Sequence, residues 1–565
     1  MVWYGAYELC LMLILLFGLC VLTAGWGRLV AGALGLPTDK VWYPDNLWLG
    51  LICITLVLSF AHFFIPISWP MRCGVILVGL IGLSRTKDLY AQTALVFNQI
   101  RSHPWFLVCC SVCLTMLCLK ALQAPRNFDS ALYHFQSMRW LGEYSIVPGL
   151  GNLHGRLAFN QSYFNLLAFL NIQPLGSKSY STAGVFVTLL CIGSLGRLYL
   201  ELSVGRVWVI ASLMLGIALS FEQLPSPTPD IAVALLQIQI FICLISLFNA
   251  NQTNAGLNLT RFVLTIFLAC FIFTVKISGL FFAVAAIAIV LPLAQWRLQP
   301  TRMVLIKTGV LGIGFVGVHL ARSYVLSGTP LFPSTFGAIW SLPWAMLPAN
   351  VNGEASWIYS WARMPGAEPS VVLGNWNWLS PWWERLPKSF VYVLSGSLLM
   401  LLLNMLLLTR SYRVGRVLLT HALYLPLVLA MIFWFFTAPD YRFLGALPTL
   451  LVALGGWLIL LNLHVLLPVS QTSFLKLTVP NAFIAQACAA AIILNFIGVR
   501  SLTLNVPQHL PAIAGPIEKI NSGQIFYQPQ DGLCWDSALP CTPFVYPHLK
   551  LLAPESGVAA GFTLK

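Results

Sequence analysis

Long apolar segments separated by short polar connections dominate this 565-residue chain. Segments of about 20 apolar residues can cross the hydrocarbon core of a bilayer as helices. Because a spanning segment must satisfy its backbone hydrogen bonds internally, the pattern predicts an all-α polytopic membrane protein. About fourteen transmembrane helices are expected, at roughly 7–34, 47–66, 68–84, 104–122, 180–200, 205–221, 231–249, 261–275, 277–295, 303–325, 389–408, 417–437, 443–466 and 478–498.

The connections between these segments divide the chain into parts of different character. The predicted parts are N-terminal helices in 1–122, a first large loop with the candidate catalytic site in 123–179, central helices in 180–326, a Trp-rich loop in 327–388, C-terminal helices in 389–498 and a polar tail in 499–565.

Composition supports the membrane assignment, since 58% of the residues are hydrophobic and only 8% are charged. The net charge of +14 does not by itself indicate a nucleic-acid partner. In a polytopic protein Lys and Arg orient the chain and contact lipid headgroups. We therefore expect membrane lipids as partners and no nucleic acid.

The short loops predict the orientation, because cytoplasmic loops are enriched in Lys and Arg. One alternating set of loops is basic, with Arg85, Lys87, Arg101, Arg206, Arg261, Arg297, Arg302, Lys307, Arg410, Arg413, Arg416 and Lys476. That set is assigned to the cytoplasm, which places both termini outside. Twelve of the seventeen Asp and Glu residues then fall in the outer loops and tail, so any chemistry is expected on the outer face.

Two cysteines stand apart from the others, most of which lie in apolar segments. Cys534 and Cys541 lie in the polar tail, in the stretch GLCWDSALPCTP. Their spacing suits a local disulfide, which requires an oxidising compartment. The outer placement of the tail agrees with this interpretation.

The first large loop concentrates charge that the rest of the chain lacks. Asp129, Tyr133, Gln136, Arg139 and Glu143 recur at spacings of three and four, which predicts a helix lying on the membrane surface with a polar ridge toward a cavity. Asp129 and Glu143 would lie about 21 Å apart on a continuous helix, too far to act as paired carboxylates. Glu143 is expected to pair with Arg139, which leaves Asp129 as the candidate base.

The same loop contains His134 and continues into VPGLGNLHGR, where His154 and Arg156 follow several glycines. The glycines predict a tight, irregular loop. Its backbone amides could face an anion, with His154 and Arg156 as further donors. The alternative is a rigid turn at the membrane surface that binds nothing.

Three further signals lie at the outer ends of predicted spans. Prolines in PSPTPD hold Asp230 at the start of a span, either as a helix cap or as part of a site. Lys276 lies between two nearly contiguous spans, where it either reaches toward the interface or binds a phosphate. Asp440 and Arg442 in APDYR either pair locally or leave Arg442 free for a phosphate.

The segment 327–388 is rich in tryptophan, which favours membrane interfaces but also stacks on sugar rings and isoprenoid chains. With Glu354, Arg363, Glu368 and Glu384 among its tryptophans, the segment could cover a site as a lid.

This arrangement of an Asp-bearing outer loop, charged ends of later spans and a small outer tail resembles the GT-C class of membrane glycosyltransferases. The chain also resembles a group of bacterial multi-pass proteins that share stretches close to DSALYHFQSMRWLGEYSIVPGLGNLHGR, SPTPD, VKIS, PDYRF and CWDSALPCTP. The second resemblance covers most of the length and carries no assigned reaction. It favours the cytoplasmic (inner) membrane of a bacterium, with the outer loops in the periplasm.

The GT-C resemblance implies a sugar donor linked to polyprenyl phosphate, with its phosphate held by some of Arg139, His154, Arg156, Lys276 and Arg442. Asp129 would take a proton from the acceptor hydroxyl of a glycan, lipid or protein, giving inversion. A divalent ion could bridge Asp129 and the phosphate, although no ligand set requires one. The alternatives are an envelope polysaccharide polymerase or ligase, a lipid-linked glycan transporter, and a scaffold without catalysis.

Overall fold

A computed structural model describes residues 2–37, 42–86, 89–101, 104–172, 175–249, 255–297, 301–410, 420–466, 510–511, 517–521 and 524–565. The predicted span at 478–498 and the basic residues Lys87, Arg413, Arg416 and Lys476 lie outside these ranges. Most of the described residues are helical, as the hydropathy pattern predicts.

Twenty α-helices follow one another along the described chain. They are α1 (Val2–Leu34), α2 (Pro44–Ala61), α3 (Trp69–Ser84), α4 (Leu89–Arg101), α5 (Pro104–Ala121), α6 (Phe135–Glu143), α7 (Leu150–Leu153), α8 (Tyr163–Leu170), α9 (Thr182–Glu201), α10 (Arg206–Ser220), α11 (Pro229–Asn249), α12 (Ala255–Val275), α13 (Leu280–Arg297), α14 (Arg302–Ser327), α15 (Pro348–Arg363), α16 (Pro369–Val372), α17 (Leu379–Arg385), α18 (Lys388–Arg410), α19 (Tyr424–Thr437) and α20 (Leu447–Leu466).

Nine of the described helices are long and apolar enough to cross a membrane. Four shorter apolar helices accompany them, at Trp69–Ser84, Leu107–Ala121, Ile277–Leu293 and His421–Thr437. Each predicted span within the described ranges coincides with one of these helices. The total of fourteen stays a prediction, because the last span lies outside those ranges.

Several helices turn large apolar side chains away from the protein interior. Phe17, Leu77, Ile313 and Leu399 are 73%, 59%, 75% and 67% exposed. A protein in water rarely leaves so much apolar surface uncovered. These exposed side chains, on helices long and apolar enough to cross a membrane, therefore indicate a membrane protein.

Helix α11 is the buried centre of the bundle and contacts α9, α10 and α12. Helix α12 in turn packs against α13 and α14, and α13 packs against α19. The start of α11, the α12–α13 turn at Lys276 and the α19–α20 turn at Arg442 meet at one end of the bundle. We call this end, which also carries the connections 122–181 and 328–387, the site end.

The tail also lies at the site end, across the first large loop. The backbone N–H of Trp535 donates to the carbonyl of Ala131 (2.8 Å), and that of Phe562 donates to Pro148 (3.0 Å). The tail adds four short strands to an otherwise helical protein. Strand β1 (Ile517–Asn521) pairs antiparallel with β2 (Gln524–Gln528), and β3 (Lys550–Leu551) with β4 (Phe562–Thr563).

A balanced group of charges ties helices together at the opposite end. Arg197 Nη1 lies 2.7 Å from Asp45 Oδ2, and Arg261 Nε lies 3.6 Å from the same oxygen. Arg261 also pairs with Glu201. Two acids and two bases join α2, α9 and α12, and because their charges balance we assign this group to stability.

Candidate functional site

A cavity of about 620 Å³ lies at the site end. We call it the main cavity. Side chains from the first large loop, the start of α11, the α12–α13 turn, the connection after α14, α15, α19 and the α19–α20 turn line it. Seven residues predicted from the sequence are in its wall: Asp129, Tyr133, His134, Arg156, Asp230, Lys276 and Arg442.

Asp129 lies at the start of a π-helical turn, Ser130–His134, that leads directly into α6. The Asn127 side chain accepts the Asp129 N–H (3.0 Å). The wider π turn leaves carbonyls without the usual helical partner. One of them, on Ala131, receives the Trp535 N–H from the tail. Both the local sequence and the distant tail therefore hold the segment that carries Asp129.

Asp230 and Lys276 reach the cavity from two adjacent helix ends. Pro229 begins α11, and its fixed φ suits the first helical position. This places Asp230 in the first turn of the helix, where its backbone N–H donates to Thr228 Oγ1 (3.3 Å). Lys276 follows the last residue of α12 in an extended conformation. Its Nζ lies 2.5 Å from Asp230 Oδ1.

The α19–α20 turn positions Arg442. The Asp440 carboxylate accepts the Arg442 backbone N–H (2.9 Å) and so caps the short 3₁₀ helix Tyr441–Leu444. The turn closes at Gly445, whose φ of 58° favours glycine and whose Cα lies against Gln237. Asp440 therefore binds the backbone of Arg442, and the guanidinium is left for the cavity.

Arg442 links two carboxylates that are distant in sequence. Its Nη2 lies 3.4 Å from Asp129 Oδ2, and its Nε lies 3.8 Å from Asp230 Oδ2. Burial lowers the pKa of Arg442, but the carboxylates of Asp230, Asp129 and Asp440 outweigh it and raise that pKa overall. Its Nε is buried and has no hydrogen-bond partner. The guanidinium is thus held by charge and keeps a donor for a ligand.

Aromatic rings flank the two cations. Lys276 Nζ lies 4.2 Å from the centroid of Phe443, and the guanidinium carbon of Arg442 lies 4.9 Å from the same ring. Trp361, from α15, lies 5.5 Å from that guanidinium carbon. These contacts help to hold both cations beside the carboxylates.

Arg156 contributes a third cation on the opposite wall. Its Nε lies 3.2 Å from Glu354 Oε2, and its guanidinium carbon lies 5.4 Å from the Phe159 ring centroid. Burial raises the pKa of Glu354, and Arg156 partly offsets this. The pair joins the first large loop to α15.

Two buried side chains between these charges are neutral near pH 7. Burial raises the pKa of Tyr133 well above its ordinary value, and the Asp129 carboxylate raises it further. Burial lowers the pKa of His134 to about 4, although Asp129 and Asp230 oppose that shift. Both can hydrogen-bond a ligand without adding charge.

Four other predicted residues do not line the main cavity. Arg139 pairs with Glu143 (2.5 Å), as the spacing predicts, and donates to the Asp536 carbonyl of the tail (2.8 Å). His154 is buried, and its pKa falls to about 3 because of that burial and of the nearby Arg156. Asp440 serves the turn described above.

The polar ridge predicted on this helix is divided between two surroundings. Asp129 and Tyr133 line the main cavity, whereas Gln136 and Arg139 face the tail. Gln136 is 1% exposed and donates to the carbonyls of Trp535 (3.1 Å) and Ser537 (3.0 Å). The helix itself is present at 130–143, as predicted. The part of its polar face at Gln136 and Arg139 is covered because the tail, which the local pattern cannot place, packs on it.

The glycine-rich loop is a packed turn in which the N–H groups of Gly149, Asn152 and His154 donate to backbone carbonyls. Gly149 has a φ of 63° and donates its N–H to Val325 (2.8 Å). A side chain at Gly149 would collide with the backbone at Phe562 and Trp344. These contacts favour the rigid-turn alternative, and Arg156 carries positive charge from this loop into the main cavity.

Part of the Trp-rich segment covers the cavity. Trp361 and Tyr359 line it from α15, and residues 330–334 line it from the preceding connection. Other tryptophans pack together instead: Trp378 and Trp382 contact Phe435 of α19. The segment therefore forms both a wall of the cavity and a structural aromatic cluster.

Cys534 and Cys541 form a disulfide within the tail. Both sulfur-bearing side chains are buried, at 0% and 2% exposure. The bridge closes the segment that contacts Ala131 and Gln136.

Several other buried arginines serve helix ends and not the main cavity. Arg72 donates to the Ala168, Phe169 and Asn171 carbonyls at the end of α8. Arg363 donates in the same way to Phe436 and Thr437 at the end of α19. The partial negative charge of these helix ends offsets the buried cations.

Within the described ranges, no group of three or more His, Cys, Asp and Glu side chains is placed to hold a metal ion. Asp129 and Asp230 already face Arg442 and Lys276. A divalent ion at this site would therefore share these carboxylates with two cations, and its involvement stays a prediction.

Sequence reasoning did not assign Glu354, Phe443 and Trp361 their places beside the cations. Glu354 and Trp361 were part of the predicted lid, but no spacing connects them to Arg156 or Arg442. Phe443 directly follows Arg442 and carried no separate signal. Glu354 meets Arg156 because α15 packs on the first large loop, and Trp361 meets Arg442 because α15 also packs on the α19–α20 turn.

The bundle and its cavity define a multi-pass helical membrane protein with a charged site at one end. The chain belongs to a family described as a domain of unknown function (DUF8201), which matches residues 9–447. That match includes every charged residue of the main cavity and excludes the disulfide-bonded tail. No curated protein and no solved structure matches the chain.

Proposed function

We propose that this protein is a membrane glycosyltransferase that moves a sugar from a polyprenyl-phosphate donor to a hydroxyl of a glycan, lipid or protein acceptor. The proposal depends on one observation: carboxylates, cations and an apolar wall line the same cavity. Asp129 and Asp230 lie beside Arg442 and Lys276 at one end of the bundle, and apolar side chains of membrane-type helices form the adjoining wall. A lipid phosphate and a polar acceptor require these two environments side by side.

The cations suit the phosphate of the donor. Arg442 keeps a buried Nε without a hydrogen-bond partner, and Lys276 and Arg156 lie in the same cavity. When the bond between the anomeric carbon and the phosphate oxygen breaks, its electron pair leaves with the phosphate. Fixed cations in a site shielded from water stabilise that developing negative charge strongly.

Asp129 is the better base of the two carboxylates. Asp230 makes a close ion pair with Lys276 (2.5 Å). Asp129 makes a longer contact with Arg442 (3.4 Å), and its side chain is 23% exposed. In the proposed step Asp129 takes the proton of the acceptor hydroxyl while its oxygen attacks the anomeric carbon. Attack opposite the departing phosphate gives inversion.

The apolar wall suits the isoprenoid chain. Ala430, Phe433 and Trp434 of α19 and Leu447 of α20 line the cavity below the charged groups. Isoprenoid units bind such surfaces through burial of apolar area alone. The phosphate would then lie where the apolar wall meets Arg442.

The proposal includes the GT-C-like arrangement of about fourteen spans in the cytoplasmic membrane of a bacterium, with the site end and both termini in the periplasm. Helix α20 starts at the site end and ends at the opposite end, whereas the tail packs at the site end. A last crossing at 478–498 would reconnect them. The disulfide fits the oxidising compartment.

The depth of the charges favours an enzyme over a transporter. In the described candidate spans every Asp, Glu, Lys and Arg lies within about two turns of a helix end. A transport path would place ionisable groups near the middle of the membrane. The described helices instead collect their charge at their two ends.

The test compares lipid-linked sugars and surface glycans in cells that lack the protein, in cells with the wild type and in cells with Asp129→Asn. We expect one glycoconjugate to disappear and its lipid-linked donor to accumulate, with no rescue by Asp129→Asn. Glu368→Gln, an exposed acid of the Trp-rich segment, is the control that should rescue. An unchanged profile would overturn the proposal, and a short-chain glycan would point to a polymerase.

A further inference from the structure

A second, smaller cavity of about 40 Å³ adjoins the main one. Both cavities are lined by Arg156, Phe159 and Gln161. We call the smaller one the polar pocket, because Asn165, Arg322 and His62 also line it. It lies between α2, α6, α8 and α14, and the function proposed above gives it no role.

The buried charge in the polar pocket is already compensated. Arg322 is 4% exposed and faces no carboxylate in the described ranges. Its Nη1 donates to the Ser59 carbonyl near the end of α2 (3.0 Å), and its Nε donates to Asn160 Oδ1 (3.1 Å). The negative end of the α2 dipole offsets the charge. An anion is therefore not needed to neutralise this arginine.

The tautomer of His62 follows from its two contacts. Its Nε2 lies 2.9 Å from the Tyr144 carbonyl, which can only accept. The proton is therefore on Nε2, and Nδ1 accepts from Arg322 Nη1 (2.9 Å). His62 is neutral and adds no charge to the pocket.

Asn165 presents a fixed acceptor without a partner. Its Nδ2 donates to Ser59 Oγ (2.8 Å), and the Ser59 hydroxyl donates its own proton to the Thr55 carbonyl (2.7 Å). Exchanging the amide O and N would leave Ser59 without a proton to donate. The Asn165 Oδ1 is therefore the atom of this amide that is buried without a hydrogen bond.

Two further lining side chains carry unpaired polar atoms. Gln161 Oε1 and Trp140 Nε1 are both buried and have no hydrogen-bond partner. The side chains that line the pocket thus include two amides with an unpaired acceptor and one indole with an unpaired donor. Burying such groups without partners costs about 1–3 kcal/mol each, a cost that a hydrogen-bonding group in the pocket would offset.

From this set we infer that the polar pocket binds one hydroxyl-bearing substituent of the sugar ring held in the main cavity. A hydroxyl both donates and accepts, which matches the unpaired atoms. A carboxylate or phosphate only accepts, and an ammonium only donates. The volume of about 40 Å³ admits a few water-sized groups and not a whole hexose.

The inference rests on the proposed function, because the main cavity must hold a sugar for its substituent to enter the pocket. In the free protein, ordered water would satisfy Asn165 and Gln161. A sugar hydroxyl that reproduces the hydrogen bonds of this water replaces it without loss of binding free energy. The hydrogen atom that takes its place in a deoxy sugar cannot form these bonds. The pocket would therefore select sugars that carry the hydroxyl.

The test measures binding by thermal stabilisation of the full-length protein in detergent. The probes are polyprenyl phosphate, its glucose, galactose and mannose derivatives, and the monodeoxy form of each sugar at every ring position. We expect one deoxy form to bind the wild type about tenfold more weakly than its parent, the loss of one good hydrogen bond. Gln161→Met should bind both forms within about twofold.

Gln239→Met is the matched control, because Gln239 is also buried with an unpaired Oε1 but lies on α11 outside both cavities. This variant should distinguish the parent sugar from its deoxy form as strongly as the wild type does. Gln161→Asn, which withdraws the amide by one methylene, replaces Gln161→Met if the latter does not fold.

The outcomes separate this inference from the proposed function. If Gln161→Met keeps the full discrimination, or if the wild type binds every deoxy form like its parent, the pocket holds water only and the inference is wrong. Stabilisation by polyprenyl phosphate itself would still support the proposed function in those cases. If no polyprenyl phosphate stabilises the wild type, the proposed donor is wrong and the inference falls with it.

Discussion

Arg442 approaches Asp129 with its Nη2 3.4 Å from the carboxylate Oδ2. The two residues come from the α19–α20 turn and the first large loop, and Asp230 of α11 contacts the same guanidinium. One cation therefore contacts both carboxylates.

Replacing Asp129 by Asn should lower the rate of transfer at least about 100-fold, the usual contribution of a general base. The amide keeps the size of the side chain, so the unfolding temperature should change little. Transfer kinetics with purified protein measure the effect, and Glu368→Gln should be normal. Wild-type rates in Asp129→Asn would remove this residue from the mechanism.

Replacing Arg442 by Lys keeps the positive charge but removes the planar fork that reaches two carboxylates and a phosphate. We expect the KM for the lipid-linked donor to rise by about tenfold, the loss of one charge-assisted hydrogen bond. Arg126→Lys, at an arginine that is 68% exposed, should leave KM unchanged. An equal rise in both variants would argue against a special role for Arg442.

The ion pair between Lys276 and Asp230 should show strong coupling in unfolding experiments. Lys276→Met leaves a buried carboxylate with only Arg442, and we expect a loss of about 3 kcal/mol in the free energy of unfolding. Adding Asp230→Asn should restore at least about 1 kcal/mol of that loss, because the unpaired charge disappears. Additive effects in the double variant would mean that the pair is not coupled.

The disulfide between Cys534 and Cys541 should stabilise the tail by about 2 kcal/mol. Because the tail binds the Ala131 carbonyl beside Asp129, Cys534→Ser should also reduce transfer. Limited proteolysis detects the loosened tail, and Cys10→Ser, at an exposed free cysteine, is the control. Two free thiols found by mass spectrometry under non-reducing conditions would contradict the disulfide.

Acid should destabilise the protein through His154. Its folded pKa of about 3 is far below the ordinary 6.5, so the unfolded chain binds the extra proton first. The stability contributed is complete above pH 6.5 and falls as the pH drops toward 3, by about 2 kcal/mol at pH 5.

His154→Gln should therefore flatten the decline in unfolding temperature between pH 7 and pH 5. The matched variant His548→Gln, at an exposed histidine, should keep the wild-type slope. A slope that His154→Gln leaves unchanged would show that this histidine is not the group that titrates.

Local sequence signals predicted the helices, the Arg139–Glu143 pair, the placement of Lys276 between two helices and the cysteine pair within the tail. Each depends on residues a few positions apart, where helix geometry or apolar length decides the outcome. The polar ridge at Gln136 shows the limit of this reasoning. The spacing placed Gln136 on the polar face of the helix, but the residues that cover it, Trp535 and Ser537, come from the distant tail.

The sequence by itself determined which segments are helical and apolar, and which of their ends carry charge. Only the tertiary structure decided that Arg442 joins Asp129 to Asp230, that Glu354 meets Arg156, and that Arg363 caps a helix. Hydropathy is a property of one segment, whereas an ion pair between segments depends on how helices pack. In this protein the cavity is made where several helix ends meet, and no spacing along the chain encodes that meeting.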